Sequence, residues 1–293
     1  MKLINQSFEI LEQKDFTITG IKKFIERCGR VCYKSQDRIT DNSYEKFVDM
    51  LEKRDHARPL EFGTVHLQMY ISDFHKLRDT LCINNIWNDQ WIKYHYAGNL
   101  TYVTTNYRYY LAIIKVFPSA ENDFDPQDDE LYPKRYTVHF ITSRGIMDEF
   151  RTHIGLSHLA ESTRYCNYSK DKFNNQITFI KPSWITLDKE ITSINELCLR
   201  SGQYDIGNPN LRYLASLVEA NYTYILLLNK GWTPQQAREV LPLSIKSELI
   251  SCGFEDAWSN FFYRRCAKDA HPMAREIATK VRDKFKELNY VNQ

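Results

Sequence analysis

At 293 residues, 43% of them hydrophobic, the chain can build one large core or two tightly joined smaller ones. Its 39 Lys and Arg against 37 Asp and Glu leave a net charge of +2, which gives no reason to expect nucleic acid as an obligate partner; any basic site must be local. The longest apolar runs, such as Tyr224–Leu228, are too short to span a bilayer, and the opening Met1-Lys2-Leu3-Ile4 lacks the apolar core of a signal peptide, so the expectation is no membrane partner and a cytoplasmic protein.

In chain order, Ile21, Phe24, Ile25, Cys28, Val31 and Cys32 recur at helical spacing and predict a helix over Gly20 to Tyr33. A second helix is expected over Ser43 to Lys53, with Phe47, Val48 and Leu51 inward. The period then changes: Val65, Leu67, Met69 and Ile71 alternate with polar neighbours, the pattern of a half-buried strand. Arg135 to Ile141 alternates likewise, Arg108 to Phe117 is a weaker strand candidate, and Ile177 to Ile180 could add an edge. Ser119 to Pro133 is acidic, contains prolines and reads as an exposed loop. After Pro182 the strands stop on this reading. Helices are expected over Leu211 to Lys230, from Thr233-Pro234, over Glu255 to Arg265, and over Pro272 to Leu288. Strands first and helices later indicate an α+β chain: a single mixed domain with a central, mainly antiparallel sheet and a helical C-terminal half.

Seven cysteines are scattered without C-x-x-C spacing, which argues against a zinc knuckle and for reduced thiols. The densest polar stretch runs from Arg144 to Lys170 and holds Arg151, His153, Ser157, His158, Glu161, Ser162, Arg164 and Tyr165. Hydroxyls beside a guanidinium suit a phosphate monoester; the same composition also fits a solvated helix. His153 and His158, five apart, would fall on different faces of such a helix, which argues against a two-histidine metal site. In the C-terminal half, Asn260, Arg264 and Arg265 sit among Trp258, Phe261, Phe262 and Tyr263. Arginine among aromatics suits a planar anionic ligand, or simply snorkels from an apolar face.

Five elements in order carry a resemblance to the flavin-dependent thymidylate synthases. Gly29-Arg30-Val31-Cys32-Tyr33 resembles an early A-R-V-S-[FY] element, and Asp55-His56-Ala57-Arg58-Pro59-Leu60-Glu61 a G-H-x-[ST]-P-[FL]-E-H element that loses its last histidine to Phe62. Within the signature R-H-R-x-x-S-x-N-E-x-S-x-R-Y, His153, Ser157, Ser162, Arg164 and Tyr165 match. Both signature arginines are replaced, by Thr152 and Ile154, and Leu159 and Ala160 replace Asn-Glu. Arg151 and Glu161 each lie one residue from a lost function. Ala237-Arg238-Glu239-Val240-Leu241-Pro242 and Asn260-Phe261-Phe262 through Arg265 complete the set.

The resemblance implies a homotetramer that methylates dUMP, with FAD as hydride carrier and methylenetetrahydrofolate and NADPH as co-substrates. It implies that Ser162, Arg164 and Glu161 hold the nucleotide, with Arg238 from another subunit. It further implies that Arg265 lies against the pyrimidine as the catalytic residue, and that His56, His153 and Asn260 meet the flavin. Two alternatives stand beside it: modification of another pyrimidine nucleotide such as dCMP, and a nucleotide-binding homologue without this catalysis. The missing arginines bear on the flavin, since each lost charge-assisted hydrogen bond costs about 1.5–3 kcal/mol.

Overall fold

The computed structural model describes residues 1–54, 56–162, 176–185 and 208–291. Strands and helices are mixed along the chain, and the sheets are mainly antiparallel. The strands are β1 (Lys2–Ile4), β2 (Ser7–Leu11), β3 (Thr64–Tyr70), β4 (Ile92–Ala97), β5 (Leu100–Asn106), β6 (Phe124–Asp125), β7 (Arg135–Ser143), β8 (Ser157–Ala160), β9 (Thr178–Ile180) and β10 (Lys246–Phe254). One antiparallel sheet has the order β2-β7-β10-β8, a second β4-β5-β3-β6, and β1 pairs in parallel with β9.

The expected helices form with small shifts at their ends. The first spans Ile18–Tyr33, and the Thr17 hydroxyl caps it by accepting from the Gly20 amide at 3.1 Å. The second spans Ser43–Lys53, and the later ones span Pro209–Asn229, Pro234–Ala237, Glu255–Arg265 and Pro272–Glu287. The Thr233 backbone and hydroxyl both meet the Gln236 side chain, a capping box that opens the short Pro234–Ala237 turn.

Two expectations are corrected. Strands do not stop after Pro182: β10 runs from Lys246 to Phe254 and is the centre of the first sheet, paired with β7 from Lys246↔Ser143 to Phe254↔Arg135 and with β8 from Leu249↔Ala160 to Cys252↔Ser157. It is buried on both faces, so its sequence shows no alternation to read. Arg108 to Phe117 is not a strand. Tyr107–Val116 is a helix, because the Asn106 side chain accepts from the Tyr109 amide at 2.9 Å and Tyr107, Tyr110 and Ile113 share a buried face. The β-rich residues upstream form β5 instead, joined to β4 by a two-residue turn at Gly98, whose φ of 62° suits glycine.

The helices Arg144–Arg151, Glu255–Arg265 and Pro272–Glu287 pack on the β2-β7-β10-β8 sheet around Trp258, Phe140, Phe150, Phe261 and Phe285, all fully buried. Burying each such side chain contributes about 1.5–3 kcal/mol. The Ile18–Tyr33 helix contributes Phe24, Cys28 and Val31 to a smaller cluster with Leu159, Ile250 and Cys252 of the same sheet. The second sheet has its own core with the helices Ser43–Lys53, Ile71–Ile83 and Tyr107–Val116. No helix among the described residues is long and apolar enough to cross a membrane.

Candidate functional site

The polar stretch that begins at Arg144 is neither one helix nor one strand. Its helix ends at Arg151, residues 152–156 turn, and β8 begins at Ser157. Two glycines let that turn close on β10. Gly155 has φ +95°, and a Cβ on Gly253 would lie 2.5 Å from Leu156 and 3.0 Å from the Gly155 carbonyl. His158 then fixes the turn: its Nε2 donates to the His153 carbonyl at 3.2 Å, and its Nδ1 accepts from the Ser251 hydroxyl at 2.9 Å. That arrangement requires a neutral ring, and burial pushes the His158 pKa down to about 4. The two histidines expected on different helix faces are therefore in contact, through the His153 carbonyl. Among the described residues no cluster of three or more His, Cys, Asp or Glu could hold a metal ion.

The turn brings His153 to Arg265. The Arg265 Nη2 donates to the Glu149 carbonyl at 2.6 Å, Nη1 lies 3.5 Å from the Glu149 carboxylate, and the guanidinium carbon is 6.0 Å from the Phe150 ring centroid. His153 stands edge-on to Phe261, with centroids 5.4 Å apart. Burial holds the His153 pKa below its ordinary range, and the Arg265 and Arg264 charges lower it further, against a backbone hydrogen bond to Ala257. Among the described residues, two nitrogens at this place, His153 Nε2 and Arg265 Nε, are buried without a hydrogen-bond partner. Each such group costs about 1–3 kcal/mol unless something else satisfies it. Asn260 lies on the exposed side of the same helix, where its side chain accepts from Arg264 Nε at 3.4 Å.

Glu161 and Ser162 lie elsewhere, at the end of β8. Glu161 is 1% exposed, its amide donates to the Glu248 carbonyl at 2.8 Å, and its carboxylate pairs with Lys246 at 2.9 Å and Lys34 at 3.6 Å. Both lysines also pair with Glu248, whose other oxygen meets His139 Nε2 at 3.0 Å. Burial alone would raise the Glu248 carboxyl; the His139 hydrogen bond and the Lys246 and Lys34 ammoniums outweigh it and hold it well below the usual range. Burial would lower Lys246, and the two carboxylates outweigh that and raise it. Ser162 is half-buried, and its amide donates to the Cys32 carbonyl at 3.4 Å. His56 is exposed nearby, with Nδ1 3.5 Å from the Tyr33 hydroxyl. Arg238 follows the Pro234–Ala237 turn, with Nε 3.4 Å from Glu239. Arg164 lies outside the described residues.

Thr152 and Ile154 are both exposed. Thr152 Oγ1 donates to the Glu149 carbonyl at 2.8 Å, the same oxygen that Arg265 uses, and Ile154 is 74% exposed. Arg151 pairs with Asp148 at 3.2 Å on the surface.

Sequence reasoning singled out none of Lys34, His139, Lys246 and Glu248, nor the contact of Glu61 with Ser157 and Arg108. The lysine–glutamate network joins residues on β7, β8, β10 and just past the first helix, so only the strand pairing could reveal it. A cleft of about 570 Å³ lined by Phe16, His66, Arg135, Tyr136 and Tyr290 contains none of the expected site residues. Its polar groups are largely paired, Arg135 with the Glu61 carbonyl and Lys134 with Asp128.

Residues 134–289, more than half of the chain, match the family described as thymidylate synthase complementing protein. The chain belongs to that family. The matched segment contains β7, β8, β10 and both His153 and Arg265. Among solved structures, the crystal structure of a UMP/dUMP methylase PolB from Streptomyces cacaoi, bound with 5-Br UMP, is similar at 12% identity over 99% of this chain and 92% of that one, with a TM-score of 0.44. No curated protein matches.

Proposed function

We propose that the chain is a flavin-dependent thymidylate synthase, transferring a one-carbon unit from methylenetetrahydrofolate to C5 of dUMP. The observation that carries this reading is the His153–Arg265 pair: two buried, unpartnered nitrogens inside the segment that defines the family. A buried acceptor, Nε2 of the neutral His153 ring that bonds the Ala257 backbone through its other nitrogen, and a buried donor, Arg265 Nε, suit a planar polar ligand, which would supply the missing hydrogen bonds. On this reading Arg265 sits along the edge of the pyrimidine. Its guanidinium, already oriented by the Glu149 carbonyl and the Phe150 face, stabilises negative charge on N3 or O4 and so makes C5 nucleophilic. His153 is neutral there and offers Nε2 as a hydrogen-bonding atom.

Ser162, held by the Cys32 carbonyl, and Glu161, fixed by Lys246, frame the nucleotide, with further charge from Arg164, which lies outside the described residues, and from Arg238 of a neighbouring copy in a homotetramer. His56 and Asn260, both exposed on one protomer, suit contact with a cofactor bound between copies. The exposed turn at 152–154 is the surface this chain would offer to FAD, which when bound and reduced at the expense of NADPH would supply hydride. The chain's own work is binding, orientation and charge stabilisation.

The test is a pair of titrations on the purified protein. The visible flavin band should appear when FAD is added, and calorimetry should give tighter binding of dUMP than of dCMP. Preference for dCMP would replace the substrate, and nucleotide binding without any flavin band would leave a binding protein only.

A further inference from the structure

Glu61 is a buried carboxylate with both oxygens occupied. Arg108 Nη1 donates to Oε1 at 2.6 Å, Ser157 Oγ donates to Oε2 at 2.6 Å, and the Glu61 carbonyl accepts from Arg135 Nη2 at 2.7 Å. This ties Arg108 to Ser157, the first residue of β8, three positions after Ile154. The guanidinium of Arg108 also lies 5.5 Å from the Trp91 ring centroid. Its orientation is thus set from two sides.

Arg108 nevertheless stays open, with 43% of its side chain exposed where Glu61 has 8%. A guanidinium carries five N–H donors. Among the described residues its one hydrogen-bonded partner is Glu61, so most of those donors have no protein acceptor there. Helix stability does not explain the placement: Arg108 is the second residue of the Tyr107–Val116 helix, where the macrodipole disfavours a cation. Ser157, which Arg108 reaches through Glu61, follows the turn that has Thr152 and Ile154 where the resembling family has arginines.

We propose that Arg108, from the layer that precedes the family-matched segment, is a ligand-binding residue of the same site, donating to a phosphate oxygen of the flavin dinucleotide in place of the arginines missing at 152 and 154. The proposal rests on the flavin reading above. Because Glu61 balances its charge, Arg108 replaces only part of what two unpaired arginines would give. Loss of the contact should weaken FAD by about 10- to 100-fold.

The experiment titrates FAD, by quenching of its fluorescence, and dUMP, by calorimetry, into the wild type, Arg108→Gln and Arg108→Lys. The expected result is that Arg108→Gln weakens FAD by that factor, leaves dUMP affinity within about threefold, and shifts the melting temperature little. Arg108→Lys keeps the charge beside Glu61 but not the planar fork, so it should also weaken FAD, and it decides the matter if Arg108→Gln does not fold. Unchanged FAD affinity in the variants overturns the proposal while leaving the flavin reading intact. Parallel loss of FAD, dUMP and melting temperature also overturns it, since Arg108 would then only brace Ser157. A wild type that binds no FAD removes both readings together.

Discussion

Two groups of buried polar residues flank β8, and they differ in completeness. At one end of the strand, Lys34, Lys246, Glu161, Glu248 and His139 satisfy one another. Before its other end, His153 and Arg265 each keep a buried nitrogen without a partner. Burial and charge are common to both groups; the state of their hydrogen bonds is what differs. A closed network braces the fold, whereas an open pair holds binding capacity in reserve. The two should therefore respond to mutation in opposite ways.

The largest effect is expected in the closed network. Glu248→Leu leaves two buried ammoniums with only Glu161 between them, and should cost about 3–5 kcal/mol in urea unfolding. A variant that unfolds within 1 kcal/mol or so of the wild type would mean the network is wetter than its burial indicates.

Acid should discriminate next. Burial pushes the pKa values of both His66 and His158 down to about 4, while each rises to about 6.5 when unfolded. The unfolded chain therefore takes up these protons first. The stability they protect is complete above about pH 6.5 and is lost as pH falls towards 4, by up to roughly 3 kcal/mol for each. Glu248, held far lower, should keep its pairs throughout that window. Unfolding curves at stepped pH test this, and replacing His66 with glutamine should flatten the slope by its share. An unchanged slope would assign the acid sensitivity to other groups.

Smaller in stability but larger in function is Arg265→Lys. Losing the Glu149 contact should cost only about 1 kcal/mol of stability, while turnover falls much further than dUMP affinity. Equal loss of turnover and affinity would make Arg265 an anchor rather than an activator. The smallest stability effect belongs to Ile154→Arg: a side chain 74% exposed accepts a charge with a change within about 0.5 kcal/mol. FAD should nonetheless bind more tightly, as titration would show. A large fall in melting temperature would mean that Ile154 is covered in the assembled protein.

The open pair was legible before the structure, and the closed network was not. His153 and Arg265 stand in local motifs, and it was the resemblance of those motifs to a known family, rather than residue types alone, that marked them. What the sequence hid was the strand beneath. Lys246 to Phe254 has small serines at 247 and 251 and apolar neighbours on both faces, so neither period 2 nor 3.6 stands out. Those serines are buried because they have partners, the Met147 sulfur for Ser247 and His158 for Ser251. Missing β10 meant missing Lys246 and Glu248, whose roles depend on sheet pairing. The hairpin around Gly98-Asn99 was readable from its turn residues but passed unrecognised, and with it the layer that carries Arg108.

The place of β10 in the chain also bears on synthesis. It is an interior strand between β7 and β8, yet about a hundred residues of chain separate it from the end of β7. Until Phe254 has left the ribosome, β7 and β8 each present an unpaired edge, and the apolar residues of the sheet have no central partner. Exposed strand edges are templates for pairing between chains. The nascent protein should thus pass through a long interval in which it is prone to aggregate, and fragments that stop short of β10 should be held by chaperones where the full chain is released.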